Sequence, residues 1–371
     1  MRELLYIIGN GFDRYHGAKS SYYDFRKYLT HHNVDIIKTF DLYFGPRSLS
    51  WTIPHPFLIE WYFGDFPYHK LPIPKNEWSM KWLWSDFERC LSMLNREKLM
   101  DILDLKLPTL YEEDDDFSYA DYFAPLDEIS DRINLCSYEM RYHFHKWIGT
   151  LQYAKGYKKK MLSLDANAFY LSFNYTEFLE SVYGIPRENI CYIHGSKKDR
   201  YGSLVLGHHI EDDKEYDMWI HKNKNRKRNR ANQKDKRGKY FANDKLCYLA
   251  YFLRKPENGN WRNPIRYYAI ESAKERYEGY YRDSYKDTDS IISQHEEFFN
   301  LLADVKEIVV IGHSLSDVDM AYFEKIVDSV SDISHVKWQF SVYSEKDKQN
   351  VKRLIKRLNL PLSENVQTFS L

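Results

Sequence analysis

Four stretches of the chain carry apolar residues in nearly unbroken runs and stop at glycine or a polar residue: LLYIIG at 4–9, AFYLSFN at 168–174, ICYIHG at 190–195 and EIVVIGHS at 307–314. A strand with one wet face alternates, whereas a strand covered on both faces does not. Such runs, followed by helical patterns, therefore predict buried parallel strands. After the first run, Ser21 and Asp24 have the spacing of a capping box, and Tyr22, Phe25 and Leu29 recur at helical intervals. The opening unit thus reads strand, glycine turn, helix. The last run leads to a turn with Asp317 and Asp319, a helix around 322–326 and a further strand at 336–342. Together these predict an α/β fold built on an open, mostly parallel sheet. Ligands of such sheets gather outside the carboxyl ends of the strands, which is where the unusual residues of this chain fall.

The strand-bearing pieces are far apart in sequence. They predict a discontinuous core of residues 1–30, 165–213 and 303–371, interrupted by a mostly helical insertion at 31–164 and a basic and helical insertion at 214–302. The first insertion holds an acidic patch, EEDDD, at 112–116, and the second opens with HKNKNRKRNRANQKDKRGK, in which ten Lys and Arg face one Asp. The basic run, spanning 222–239, has two readings: a solvated loop, or a contact surface for nucleic acid or a partner.

Composition narrows the classes. Hydrophobic residues make up 43% of 371, enough for a sizeable core, and 54 basic against 54 acidic residues give no global pull toward nucleic acid or an anionic membrane. Cys90, Cys136, Cys191 and Cys247 are widely spaced and include no CxxC pair, so they are expected to be reduced thiols. No apolar stretch reaches membrane-spanning length, and the run at 4–8 is too short for a signal sequence. A cytoplasmic location and no membrane partner are expected.

The candidate chemistry sits just past the strands. Gly9-Asn10-Gly11 with a displaced Gly17 is an incomplete dinucleotide fingerprint; glycines there allow backbone N–H groups close to a phosphate. Ser172, Asn174 and Thr176 end the second run; an amide there could hold a water or a ribose hydroxyl, or simply cap the next helix. His194 ends the third run and could move a proton near neutral pH. Gly312-His313-Ser314-Leu315-Ser316 approaches the G-x-S-x-G nucleophile elbow, but it lacks the last glycine, and His335 alone remains downstream as a base.

Taken together, IIGNGFDRYHGAKSSYYDFRKYL, YLSFNYTEFLE, YIHGS and VVIGHSLSDVDMAYF resemble the AbiH family of bacteriophage abortive-infection proteins. More distantly, the glycine turn, Asn174, His194 and the segment Gly312–Leu315 are similar to sirtuin-like (SIR2) domains. That resemblance implies a Rossmann-like pocket for NAD, with asparagine and histidine at the nicotinamide ribose. Its zinc module is missing here, and no metal is expected. Asp13 stands where the sirtuin pattern has a small hydroxyl, and Thr176 where it has an aspartate.

The expectation is therefore an anti-phage effector that hydrolyses NAD. Asn174, His194 and Asp13 would be catalytic, and Gly9, Asn10, Gly11, Phe12, Gly17, Ser172, Thr176, Gly312, His313, Ser314 and Asp317 would bind the dinucleotide. A phage-derived trigger, a partner protein and a homo-oligomer fit such an effector. Two alternatives differ in kind: a nucleotide-binding sensor without turnover, and a nuclease using Asp13, Asp317 and Asp319 as Mg²⁺ ligands.

Overall fold

The computed structural model describes residues 2–44, 84–85, 87–94, 118–156, 158, 161–199, 204–208, 264–360 and 365–371. Strands β1 (Leu4–Ile8), β2 (Phe169–Ser172), β3 (Ile190–Tyr192), β4 (Glu307–Ile311), β5 (Lys337–Ser341) and β6 (Val366–Phe369) form one sheet. Their order is β3-β2-β1-β4-β5-β6, and every pairing is parallel. This is the order of the Rossmann fold, with the winding reversing between β1 and β4. Each of the four apolar runs contains a strand. β6 has no such run: its VQTF segment is half exposed at the sheet edge.

The helices are α1 (Asn10–Tyr15), α2 (Tyr22–His32), α3 (Val34–Tyr43), α4 (Phe87–Leu91), α5 (Tyr119–Asn134), α6 (Met140–Thr150), α7 (Phe178–Ser181), α8 (Pro264–Ser284), α9 (Thr288–Gln294), α10 (Glu296–Asn300), α11 (Met320–Ser329) and α12 (Glu345–Arg357). The chain divides into two compact units. One comprises residues 1–28, 141–209 and 286–371 and holds the sheet; the other comprises 29–140 and 210–285.

In the sheet unit, side chains of alternate residues go to opposite faces, as pleating requires. Leu5, Ile7, Leu171, Ile308, Val310 and Trp338 lie in one apolar cluster with Ile291 of α9, Phe299 of α10, Phe323 and Ile326 of α11 and Leu354 of α12. Tyr6, Ile8, Tyr170, Tyr192, Val309 and Ile311 form a second cluster with Phe12 of α1 and Leu179 of α7. Both faces of β1 are thus sealed, which is why its sequence is apolar without alternation. Truncating Leu5 or Ile7 to alanine removes packing on the central strand, a loss of about 2–5 kcal/mol.

The expected capping box at Ser21 is present: the Asp24 backbone N–H donates to Ser21 Oγ at 3.2 Å, and the Ser21 N–H donates to Asp24 Oδ2 at 3.3 Å. It starts the second helix, not the first. A shorter helix, α1, begins inside the glycine turn itself, because Phe12 must swing back into the apolar cluster under the sheet. α1 is pinned by His16, whose Nδ1 donates to the Phe12 carbonyl at 2.7 Å. Its Nε2 then accepts from the Tyr183 hydroxyl at 2.6 Å, and that oxygen accepts the Leu162 N–H at 3.1 Å.

The other unit packs α3, α4, α5 and α8 around aromatics: Phe40 lies against Trp84 and Phe87, and Trp84 Nε1 donates to Asp41 Oδ1 at 2.8 Å. Tyr280 of α8 donates to the Leu91 carbonyl at 2.9 Å, and Arg276 Nη1 to that of Leu126 at 2.8 Å. Cys90, Cys136 and Cys191 are buried. The acidic patch 112–116, the basic run 222–239 and Cys247 lie outside the described residues. No helix among the described residues is long and apolar enough to cross a membrane.

Candidate functional site

The carboxyl ends of β3, β2, β1 and β4 are neighbours along one edge of the sheet, and their exits carry His194, Asn174, Asn10 to Asp13, and His313. The turns after β1 and β4 touch backbone to backbone. Gly9 N–H donates to Ile311 O at 2.9 Å, Gly11 N–H to Gly312 O at 2.7 Å, and Phe12 N–H to Gly9 O at 2.9 Å. A methyl group on Gly9 would stand 2.5 Å from His313 Cα, and one on Gly11 2.6 Å from Gly312 Cα. Gly312 has φ +66 and would push a methyl to 2.2 Å from Phe12 N. The glycines allow two turns to interlock, and three of the turn's N–H groups are spent in doing so.

That interlock places Asp13 in the interior. Its Oδ1 accepts from Asn174 Nδ2 at 3.0 Å and its Oδ2 from Thr176 Oγ1 at 2.6 Å. Asn174 Nδ2 also donates to the Gly9 carbonyl at 3.1 Å. Burial raises the Asp13 carboxyl against the pull of these two donors, to about 7. Because both hydrogens of the Asn174 amide are committed, its Oδ1 must face the other way. It is buried and has no hydrogen-bond partner among the described residues.

A second buried group surrounds Asp319, which closes the 3-10 turn at 317–319 before α11. Lys286 Nζ donates to its Oδ1 at 3.0 Å, and Ser316 Oγ to its Oδ2 at 3.1 Å. His313 Nε2 stands 3.5 Å from Oδ2 and His194 Nε2 4.0 Å from Oδ1. The partners settle the tautomers. His313 Nδ1 accepts the Leu315 N–H at 3.0 Å, so its hydrogen is on Nε2, facing the carboxylate. His194 bonds the Phe173 backbone and its Nε2 has no hydrogen-bond partner among the described residues, so Nδ1 carries the hydrogen and Nε2 a bare lone pair. The Phe173 ring packs edge-on against both imidazoles, at 5.3 Å from His194 and 4.4 Å from His313.

Burial raises the Asp319 carboxyl, but the Lys286 ammonium and the two imidazoles outweigh it and hold the group well below the usual carboxylate range. Burial and then Lys286 keep His194 well below its ordinary value, against the opposing pull of Asp319. His313 is lowered mainly by burial.

The remaining expected residues lie elsewhere on this edge. Asn10 is exposed at the surface, with Nδ2 donating to the Ser20 carbonyl at 2.8 Å. Phe12 faces the apolar cluster, and Gly17, at φ +82, sits against Ala154. Ser172 Oγ accepts the Asn174 N–H at 3.2 Å within its own turn. The Ser314 carbonyl accepts from Asn350 at 2.9 Å, and Asp317 lies beside Arg353 at 3.7 Å, both at the surface. Two residues of the site left no readable sign in the sequence. Lys286 follows a helix with no strand before it, and Glu177 reads as a helix-start acid, yet it is buried and holds Ser196 Oγ at 3.2 Å and Lys198 Nζ at 2.9 Å.

The family model for bacteriophage abortive infection AbiH matches residues 5–342, which takes in every strand end described above. The chain belongs to the AbiH family. No curated protein and no solved structure matches it. Membership indicates a role in abortive infection by bacteriophage. In this AbiH chain the carboxylates Asp13, Asp317 and Asp319 each have a separate set of protein partners. Among the described residues no group of three or more His, Cys, Asp or Glu could hold a metal ion. At Asp319 the cation is the lysine's.

Proposed function

We propose that this AbiH chain acts in phage defence by binding NAD at the carboxyl edge of the sheet and hydrolysing its nicotinamide–ribose bond. The observation that carries the reading is a pair of buried acceptors, Asn174 Oδ1 and His194 Nε2, that find no donor among the described residues at the ends of adjacent strands β2 and β3. An unmet buried acceptor costs about 1–3 kcal/mol, so two of them at the same end of neighbouring strands call for a ligand that donates to each. The hydroxyls of a ribose, or one hydroxyl and a water, are such donors. The same carboxyl edge includes the reversal of winding between β1 and β4, which supports a nucleotide ligand as well.

In this reading Asp13 positions rather than reacts: with Thr176 it locks the amide of Asn174 so that the oxygen faces the sugar. Water attacks the anomeric carbon and gives its proton to His194 Nε2. The glycosidic electron pair leaves with neutral nicotinamide, and positive charge builds on the ribose in between. The ionised Asp319, 4.0 Å from that same nitrogen, favours the imidazolium that forms. The glycine turn is assigned to holding the site together, because the N–H groups of Gly9, Gly11 and Phe12 are already bonded.

Purified full-length protein incubated with NAD, with and without extract of phage-infected cells, should release nicotinamide, and Asn174→Ala and His194→Gln should lower the rate at least about 100-fold. NAD binding in calorimetry with no nicotinamide release under either condition would replace the enzyme with a nucleotide sensor. No binding at all would end the dinucleotide reading.

A further inference from the structure

Lys286 is the first residue of the sheet unit after the chain returns from the other unit, and its side chain is wholly inaccessible to solvent. Its backbone N–H donates to the His208 carbonyl at 2.6 Å, so it is held by the segment that leads out of the sheet unit as well. From there the ammonium reaches Asp319 Oδ1 at 3.0 Å and lies 5.7 Å from the Tyr322 ring centroid. A lysine is an expensive choice for such a place: it loses its hydration and most of its rotamers, and a buried pair of this kind is often no more stable than an apolar one. Its use has to be looked for in what the charge does to its neighbours.

Around Asp319 stand one fixed cation, Lys286, and two imidazoles, His194 and His313. An interior carboxylate takes its compensating positive charge from whatever is nearest. With the lysine in place the pair is neutral and both imidazoles keep one hydrogen each. Without it, the carboxylate would draw a proton onto an imidazole, and a protonated His194 has no lone pair to offer. Facing His194 are Lys286, Asp319 and His313, with the rings of Phe173, Tyr175 and Tyr322.

We propose that Lys286 is the positioning cation of this site: it takes the place a metal ion has in a carboxylate–imidazole cluster, anchors Asp319 and so presents His194 Nε2 as an open acceptor. It rests on the role given to His194 above, and its test can be read without activity. Histidine side-chain NMR titration of the full chain, assigned with His194→Gln and His313→Gln, should show both imidazoles with midpoints below the ordinary histidine value. In Lys286→Met at least one midpoint should rise by one pH unit or more. In Lys286→Met/Asp319→Asn, which removes both charges, both midpoints should be low again. If Lys286→Met is folded and its imidazoles are unchanged, the proposal is overturned. If Lys286→Met alone fails to fold and the double variant folds with both histidine midpoints low, charge balance is the lysine's role and the proposal holds. If neither variant folds, the lysine serves packing and the proposal is overturned. A parent that titrates as expected and never releases nicotinamide leaves Lys286 its role and removes only the NAD reading.

Discussion

Two carboxyls, Asp13 and Asp319, are buried in the same unit on the same edge of one sheet, and they titrate in opposite directions. Asp13 has two good hydrogen bonds, from an amide and a hydroxyl, and is still raised to about 7. Asp319 has one hydroxyl, one imidazole N–H pointing at it and one ammonium, and stays below the usual range. Neutral donors alone therefore do not keep a carboxylate charged in this interior, whereas a lysine, joined by two imidazoles, does. The pair makes a division of labour visible: Asp13 can carry a proton at neutral pH and hold an amide in place, while Asp319 supplies a standing negative charge beside an imidazole nitrogen.

The largest effect that would break this contrast is Lys286→Met. It strips Asp319 of its one full charge partner, and removing one member of a buried pair costs about 3–5 kcal/mol. Urea unfolding at pH 7 should show that loss, and adding Asp319→Asn should recover most of it. If Lys286→Met were as stable as the parent, Asp319 would owe its charge to something other than the lysine.

Next is Asp13→Asn, which mimics the protonated acid and keeps contact with Asn174 and Thr176. The folded Asp13 holds its proton up to about 7, whereas the unfolded chain releases it near 3.8. The folded state thus binds more protons between those values, and its stability falls as pH rises through that window. At about 1.4 kcal/mol per pH unit the full interval is worth roughly 4 kcal/mol, as an upper figure. Asp13→Asn should match the parent near pH 4, gain on it as pH rises, and be more stable by up to that amount above pH 7. His194 and His313 act with the opposite sign: lowered in the fold, they make stability fall as pH drops below about 6.5. They are common to both proteins, so the difference between the two curves isolates Asp13. A difference that does not change with pH would mean that Asp13 is ionised throughout.

The sheet was legible because burial on both faces writes itself as unbroken apolar runs, and this held for β1 to β4. It failed for β6, an edge strand whose half-exposed VQTF has no run to read. Asn174, Thr176, His194 and His313 were legible from their place just after those runs. Lys286 was not: it lies 33 residues before Asp319 on a non-strand segment, and nothing local distinguishes a buried lysine from a solvated one. The glycine turn was legible as a turn but not as to what fills it, since Gly9, Gly11 and Gly312 meet only in three dimensions.

That interlock yields a third effect. Gly312→Ala adds a methyl where φ is +66 and Phe12 N lies 2.2 Å from the new carbon. The strained backbone alone costs about 1–3 kcal/mol, and parting the two turns should disturb both carboxyls at once. Loss of the Asp13 pH signature together with a changed His313 NMR signal would confirm that one contact supports both groups. A change in only one would show that they are independent.

The smallest effect sharpens the contrast most. Thr176→Val keeps the shape of the side chain and removes the hydroxyl that donates to Asp13 Oδ2 at 2.6 Å. A lost hydrogen bond to a buried group costs about 1–2 kcal/mol, but the size should depend on pH. Above about 7, where Asp13 is ionised, the full donor is missed. Below it the protonated acid needs one acceptor and one donor fewer, and the cost should shrink. Burial would then be opposed by Asn174 alone, so the Asp13 midpoint should move upward from about 7, carrying the end of the stability window with it. A penalty of the same size at pH 5 and pH 9 would show that the hydroxyl serves the backbone and not the carboxylate. Asp13 would then be held by Asn174 alone, and the orientation of that amide, on which the assignment of the sugar-facing oxygen depends, would rest on a single pair of hydrogen bonds.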